Sequence, residues 1–309
     1  MRLKILVLIL VAMILVYTFH VTLFAENTFS ELDIDYAVIR IINPKFKVIN
    51  NNSLVYRAGI PKGSGFLVSW NNDLFIVTAR HVAEADNDLL GVVRVKNKKN
   101  NSIERYTIKL PKDDWIFHPE EGNNNTHYVD VAIMKINWLE GFEIKTFDYN
   151  EDFLDEKILN DVLINRGIEK PYLLNVCWWT TDIGDAQLDP SRPILAFADL
   201  SMTVNKLSLK KDNTNINFEE KAIFCKGDLY HGNSGAPVID MMPFDKPKRK
   251  LLGLVIASDI DNFVNREGNK PLGSIVIEPI TRIKEVLYFA KDYPNNFKND
   301  NWSLLYKCN

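Results

Sequence analysis

The sequence predicts an all-β protein, a barrel or a sandwich, with one helix near its C-terminal end. The first observation is a long series of short apolar runs that are rich in β-branched and aromatic residues. The second is the near-regular spacing of these runs, which Asn, Gly and Asp residues separate. The third is that a convincing helical pattern occurs only at 280–290, where Pro279 stands as a helix starter.

The apolar runs predict two groups of strands on either side of a more charged segment at 137–170. Residues 65–70 and 74–78 read as a hairpin around a polar Asn-Asn-Asp turn at 71–73. The other predicted strands lie at 36–42, 91–95, 106–110 and 131–136 in the first group, and at 172–176, 194–198, 201–204, 221–225, 251–257 and 274–278 in the second. We therefore divide the chain into a first β unit at 36–145, a connection at 146–170, a second β unit with the helix at 171–290, and a tail at 291–309.

Composition narrows the class of partner. The chain has 309 residues, enough for one large domain or two medium ones, and 46% of them are hydrophobic, which is ample for a core. Its 37 Lys and Arg are nearly balanced by 40 Asp and Glu, so no basic stripe points to a nucleic-acid partner. No spacing indicates a metal site, and we expect no cofactor. The oligomeric state is left open.

The first 25 residues form a hydrophobic leader. Arg2 and Lys4 precede an apolar run at 5–25, and acidic residues follow it, which favours export of everything downstream. A signal peptide cleaved after Ala25 would leave a secreted or periplasmic protein, although Leu23 fits such a site poorly. The run is equally long enough to stay in the membrane as an uncleaved anchor with the domain facing outward.

The three cysteines form no recognisable framework. Cys177, Cys225 and Cys308 are an odd number, and the default expectation is that they are small buried apolar residues. A bridge between Cys177 and Cys225 is an alternative that the sequence leaves open.

Three short motifs carry the chemistry. Ser234 stands in Gly-Asn-Ser-Gly-Ala-Pro at 232–237, and His81 follows an apolar strand through Thr-Ala-Arg at 78–80. Asp130 opens the buried run 131–136 and lies between them in sequence. A serine hydroxyl needs a neighbouring base to become a nucleophile, and that base needs a carboxylate to orient it. The order therefore predicts acyl transfer by an activated serine, although the same Gly-Asn-Ser-Gly segment would also suit an ordinary turn.

Each of these residues has rivals in the sequence. His118, His127 and His231 lack the strand context of His81. The carboxylate could also come from three other residues, which are Asp86, Asp113 and Asp114. We favour Asp130 because the apolar run after it would bury its carboxylate beside the histidine.

These motifs, together with Gly-Ser-Gly-Phe at 63–66, resemble those of the chymotrypsin-fold serine proteases, and most of all the bacterial HtrA-type branch. The resemblance spans about residues 36–290, and the order His, Asp, Ser is the order of that clan. It implies two antiparallel β-barrels, with His81 and Asp130 on the first and Ser234 on the second. It also implies an endopeptidase that acts on protein or peptide substrates, with an oxyanion hole formed by the N–H groups of Gly232 and Ser234.

Departures from the digestive enzymes of that fold are informative. Asn233, before the nucleophile, cannot form the salt bridge that a newly cut N-terminus makes in zymogen-type relatives, so activation by that route is not expected. Because only residues 291–309 follow the helix, we expect no PDZ module.

The substrate pocket is less sharply predicted. Asp228 lies where trypsin-like relatives place an acid at the pocket base, but it would equally suit a loop. Ile256, Ala257 and Ser258 are candidates for the wall strand that pairs with an extended substrate. Two other functions remain open: a binding or scaffolding protein on the same fold without turnover, and a serine esterase.

Overall fold

A computed structural model describes most of the predicted β units. The described residues are 36–50, 53–118, 129–155, 157, 173–178, 194–204, 207–211, 214–218, 222–226, 232–240, 250–257, 274–293 and 301–307. The leader at 1–25, Asp228, Ser258, His127, His231 and Cys308 lie outside them. Export, the fate of the leader and these residues' roles therefore stay predictions.

The first β unit is a ten-stranded sheet in which consecutive strands mostly pair antiparallel. Its main path runs β18-β5-β4-β1-β2-β3-β7-β6, with β8 added to β4 and β9 parallel to β2. The strands are β1 (Val38–Asn50), β2 (Ser53–Trp70), β3 (Asp73–Thr78), β4 (Leu89–Asn97), β5 (Ile103–Leu110), β6 (Ile116–Phe117), β7 (Ala132–Ile136), β8 (Phe142–Glu143), β9 (Phe147–Asp148) and β18 (Trp302–Lys307).

The β2–β3 hairpin confirms the predicted turn. Asn71 and Asn72 have φ of 50° and 69°, the left-handed pair that a two-residue hairpin loop needs for its twist to match the strands. The apolar side chains of β3 are almost fully buried, so this strand lies in the middle of the core. The hairpin positions the first half of the site, because His81 follows β3 directly.

The second β unit closes into a six-stranded barrel in the order β10-β11-β14-β17-β16-β15. Its strands are β10 (Leu173–Trp178), β11 (Ile194–Val204), β14 (Ala222–Lys226), β15 (Pro237–Asp240), β16 (Leu251–Ala257) and β17 (Ser274–Pro279). A separate hairpin of β12 (Leu207–Lys211) and β13 (Thr214–Phe218) follows β11 along the chain. The all-β class and the two antiparallel units are thereby confirmed.

Helix α2 (Ile280–Ala290) packs across both β units. Its buried residues recur at helical spacing, namely Ile280, Ile283, Val286, Leu287 and Ala290. The helix contacts β16 and β17 of the barrel and β6 and β7 of the sheet. Two shorter turns lie in the sheet unit, α1 (Arg80–Ala83) and a 3₁₀ turn at Lys112–Asp114. No helix in the described ranges is long and apolar enough to cross a bilayer.

The C-terminal segment differs from the expected tail. Residues 302–307 form β18, which pairs antiparallel with β5 and so extends the first sheet. Trp302 is buried and its indole Nε1 donates to the carbonyl of Asn137 at 3.1 Å. The chain therefore returns to the N-terminal unit after completing the C-terminal one.

Cys225 is a fully buried thiol in β14 rather than half of a disulfide. Its neighbouring strand β11 separates β14 from β10, which carries Cys177. The bridge between the two residues is therefore not formed.

A charged cluster joins α2 to the end of the first sheet. His118 is buried, and its Nε2 lies 3.0 Å from Glu285 Oε2, which also accepts from Arg282 Nη1 at 2.8 Å. Burial raises the pKa of Glu285, but the hydrogen bonds from His118 and Arg282 outweigh it and hold that pKa below its ordinary value of 4.5. The ionised carboxylate thus helps to hold the helix to the sheet.

We expect Glu285→Gln to destabilise the protein slightly near neutral pH. A carboxylate with a lowered folded pKa contributes stability above about pH 4.5, and that contribution is lost as the pH falls through its folded pKa. Because this side chain is half exposed, screening limits the loss to about 1 kcal/mol or less at pH 7. Urea melts at pH 7 and pH 3.5 measure it, with the exposed Glu140→Gln as the matched control. An equal gap at both pH values would contradict the assignment.

Candidate active site

His81 lies on the turn that leaves the central strand β3. Ala79 is extended, with φ −69° and ψ 141°, and helix α1 begins at the next residue. Val82 and Ala83 of this turn are buried in the core, whereas the His81 side chain is 37% exposed. The imidazole is therefore fixed to a rigid element and remains accessible from outside.

The carboxylate of Asp130 holds His81 at two points. Its Oδ1 accepts the His81 backbone N–H at 2.9 Å, and its Oδ2 lies 2.7 Å from Nδ1 of the ring. The antiparallel pairing of Thr78 with Ala132 brings the two residues together, because each stands two or three positions beyond this pair. An ionised carboxylate only accepts, so Nδ1 carries the proton and Nε2 keeps its lone pair. The ring is thereby held in the tautomer of a general base.

The other described candidates for the histidine and the carboxylate lie outside this pair. His118 is buried in the cluster with Glu285. Asp86 and Asp113 are exposed, and Asp114 is partly exposed at the end of the 3₁₀ turn. Asp130 is only 7% exposed, as expected for a carboxylate that orients an imidazole.

A second buried carboxylate, Glu278, stands behind Asp130. It is 4% exposed in β17, and its Oε2 accepts the backbone N–H of Asp130 at 3.4 Å. No motif in the sequence points to this residue. The available signal was a lone acid at the end of the apolar run 274–278, where an ionisable group is costly to bury without partners.

The proposed nucleophile lies in a tight turn that leads into β15. Gly232 and Gly235 have φ of 103° and 84°, a conformation that side chains with a Cβ rarely adopt. The turn is closed by the Ala236 N–H on the Asn233 carbonyl at 2.8 Å, and the Gly235 N–H donates to Val255 at 2.7 Å. Ser234 is half-buried at the apex of this turn.

This turn is joined to the elements that carry His81. The Ser64 N–H of β2 donates to the Ser234 carbonyl at 2.9 Å. A Cβ on Gly235 would lie 2.1 Å from the Ser64 carbonyl oxygen and 2.3 Å from Thr78 Oγ1, so the turn packs directly against the end of β3. A Cβ on Gly63 would lie 2.8 Å from both the Ser234 carbonyl oxygen and Val82 Cγ2. Ser234 is therefore placed beside the turn that bears His81.

The structure brings Ser234, His81 and Asp130 to one place, but the Ser234 hydroxyl and the His81 ring are not hydrogen-bonded to each other. The contacts of the described residues include the His81–Asp130 pair but no hydrogen bond between the Ser234 hydroxyl and the His81 ring. Catalytic hydrogen bonds are often long in free enzymes and tighten when substrate binds.

Gly232 and Ser234 supply the two predicted oxyanion donors, whose backbone N–H groups lie in this turn. Among the residues that the structure describes, no acceptor is bonded to the N–H of Gly232 or of Ser234. The carbonyls of this turn do accept hydrogen bonds. Ser64 Oγ donates to the Gly232 carbonyl at 2.8 Å, and the Ala236 N–H donates to the Asn233 carbonyl. Unpaired backbone N–H groups at a buried turn can receive a developing negative charge.

Asn233 is a fully buried neutral residue beneath this turn. Its side-chain amide makes no hydrogen bond within the described ranges. A buried ammonium group at this position would need a carboxylate partner, which an asparagine does not supply.

Of the candidate pocket residues, Ile256 and Ala257 are described. They are the last residues of β16, directly after Val255, which pairs with the nucleophile turn. The β16–β17 register shifts between Val255 and Ala257, and Ile256 is half-buried at this irregularity. The end of β16 thus lies next to the nucleophile turn, and a role of Ile256 and Ala257 in substrate binding stays a prediction.

Comparison with known proteins gives a structural likeness only. No family model and no curated protein matches the chain. The chain is similar to crystal structures of the Rv3671c protease from M. tuberculosis. The active form has a TM-score of 0.46 at 14% identity, covering 83% of this chain and 82% of that one. An inactive serine-to-alanine mutant has a TM-score of 0.44 at 14% identity, with 84% and 88% covered. The inactive form has 0.43 at 15% identity, with 82% and 89% covered.

Proposed function

We propose that this chain is a serine endopeptidase that hydrolyses peptide bonds through Ser234, His81 and Asp130. The observation that carries the proposal is the two-point contact of the Asp130 carboxylate with His81, beside the turn that presents Ser234. The contact with Nδ1 selects the ring tautomer in which Nδ1 carries the proton. Here it leaves the basic Nε2 unused by Asp130, as general-base catalysis requires.

The proposed reaction follows from the roles of these atoms. His81 Nε2 takes the proton from the Ser234 hydroxyl as the oxygen attacks the amide carbonyl, and the N–H groups of Gly232 and Ser234 stabilise the oxyanion. The imidazolium then protonates the leaving amine, and the C–N bond breaks to give an acyl-serine ester. Water attacks this ester by the same route and releases the acid, which restores the hydroxyl.

An extended peptide is the proposed substrate. The β15 ladder of β16 ends at Leu254 and Val255 bonds the nucleophile turn, so Ile256 and Ala257 extend past that ladder at the end of β16. Strand ends of this kind can bind a peptide by backbone pairing. We further propose that Ile256 and Ala257 line the subsite before the scissile bond, together with Asp228 and Ser258. Whether Asp228 confers a preference for basic residues stays a prediction.

Labelling with a fluorophosphonate probe tests the class of activity. We expect the wild-type protein to be labelled at Ser234, because a phosphonylating probe reacts only with a serine that a base activates. Labelling should be lost in Ser234→Ala and in His81→Ala, whose melting temperatures should stay close to wild type. Ser69→Ala is the matched control, because this serine lies on the neighbouring part of β2 and its hydroxyl accepts from Thr146 at 2.9 Å.

The outcomes separate the alternative functions. An unlabelled wild type would favour a binding protein on this fold and overturn the proposal. A labelled protein that cleaves short esters but no member of a peptide library would be an esterase.

A further inference from the structure

We propose that Ser64 is a positioning residue that sets the oxyanion hole of the other β unit. The inference rests on the proposed function, because it concerns the donors of that same reaction. Ser64 is fully buried on β2, and it bonds the nucleophile turn twice. Its N–H donates to the Ser234 carbonyl at 2.9 Å, and its hydroxyl donates to the Gly232 carbonyl at 2.8 Å.

Ser64 is itself rigidly held. Its carbonyl accepts from Thr78 Oγ1 at 2.7 Å, and Thr78 is fully buried at the end of β3. Ser64 also pairs with Arg40 of β1, so its backbone belongs to the centre of the sheet. A rigid donor of this kind can impose an orientation on a flexible acceptor.

The peptide planes around Ser234 differ in how many anchors they have. The Ser234–Gly235 plane is held at both ends, by Ser64 N–H and by the Val255 carbonyl. The Asn233–Ser234 plane is held through its carbonyl by Ala236. In a trans peptide the N–H points opposite to the C=O, so this bond directs the Ser234 N–H away from Ala236.

The Gly232–Asn233 plane depends on the Ser64 hydroxyl. Within the described part of the turn, the Gly232 carbonyl accepts from Ser64 Oγ. Gly232 has φ 103° and no Cβ, so its flanking peptides rotate at little steric cost once that bond is removed. The Gly232 N–H belongs to the preceding peptide plane, which shares the Gly232 Cα with this one. Once the carbonyl is released, rotation about the Gly232 backbone bonds would move this N–H relative to the N–H of Ser234. The Ser64 hydroxyl therefore fixes the Gly232 carbonyl, and with it the stretch of backbone from which this predicted donor extends.

Ser64→Ala tests the role by separating kcat from KM. Losing one oxyanion donor costs about 10²–10³ in kcat. Because the variant only frees the donor to rotate, we expect a fall in kcat of about 10–100-fold, with KM changed less than about threefold. The measurement uses a fluorogenic peptide that the wild-type protein cleaves. The affinity for a peptidyl boronic acid, whose adduct places an oxygen in the hole, should fall by the same factor as kcat.

Ser69→Ala is the matched control on the same strand and should leave kcat and boronate affinity unchanged. Wild-type kcat and boronate affinity in Ser64→Ala would overturn the role of Ser64 alone, whereas a wild type that neither cleaves nor labels would overturn the proposed function. A merely structural loss would lower the melting temperature without this matched fall. If Ser64→Ala does not fold, Ser64→Cys decides by the same criterion, because its thiol is a weaker donor of similar size.

Discussion

Replacing Asp130 by Asn should lower kcat by about 10⁴-fold while leaving the fold intact. The Asn Oδ1 can still accept the His81 backbone N–H, which Asp130 now accepts at 2.9 Å. The NH₂ group would then face Nδ1 of the ring, where the carboxylate oxygen stands at 2.7 Å. Two donors cannot share that contact, so the ring takes the other tautomer and its proton moves to Nε2. A protonated Nε2 cannot accept the hydroxyl proton of Ser234.

Steady-state hydrolysis of a peptide substrate and the rate of fluorophosphonate labelling measure this effect. Both should fall together, since both need the activated serine. Asp152→Asn is the matched control: it is also a buried carboxylate, 7% exposed, and its Oδ2 accepts the Asp148 N–H at 2.7 Å away from the site. We expect the control to retain activity within a few-fold. If Asp130→Asn kept activity within tenfold of wild type, another group would be orienting the imidazole.

The parts of the site that were predictable from sequence are those with strong local signals. His81 and Asp130 each adjoin a fully buried apolar strand, β3 and β7, and these two strands pair with each other. Once the strands are recognised, the positions of the two side chains follow from the sheet. The glycines around Ser234 are likewise explained locally, because Gly232 and Gly235 adopt positive φ.

The parts that were missed depend on long-range partners. Ser64 and Gly232 are 168 positions apart, and Glu278 and Asp130 are 148 apart. Neither pairing leaves a periodic pattern, because each is one hydrogen bond between two units. The strand β18 is a similar case: its short run at 302–307 follows a polar segment, and its partner β5 lies far upstream. Tertiary pairing, rather than local propensity, decides such elements.

Gly235→Ala should severely impair both stability and activity. A Cβ at this position would lie 2.1 Å from the Ser64 carbonyl oxygen and 2.3 Å from Thr78 Oγ1. These two atoms are hydrogen-bonded to each other at 2.7 Å and lie in the rigid end of the β2–β3 hairpin, so neither can withdraw cheaply. The φ of 84° adds about 1–2 kcal/mol of backbone strain for a residue with a Cβ. We expect the total loss in unfolding free energy to reach about 3 kcal/mol or more.

The clash of the new Cβ with Ser64 and Thr78 would also push the nucleophile turn away from His81. A misplacement of about 1 Å can cost about 10²-fold in rate, so kcat should fall by at least that factor in whatever fraction of the protein still folds. Thermal melts and active-site titration with the fluorophosphonate probe separate the two effects, because titration counts only competent molecules. Gly141→Ala is a close control: its φ is 80°, yet a Cβ there would meet nothing within 4 Å. The Gly141→Ala variant has the same backbone strain without a steric clash, and it should remain active. Equal behaviour of the two alanine variants would mean that the turn does not pack against Ser64 and Thr78 as described.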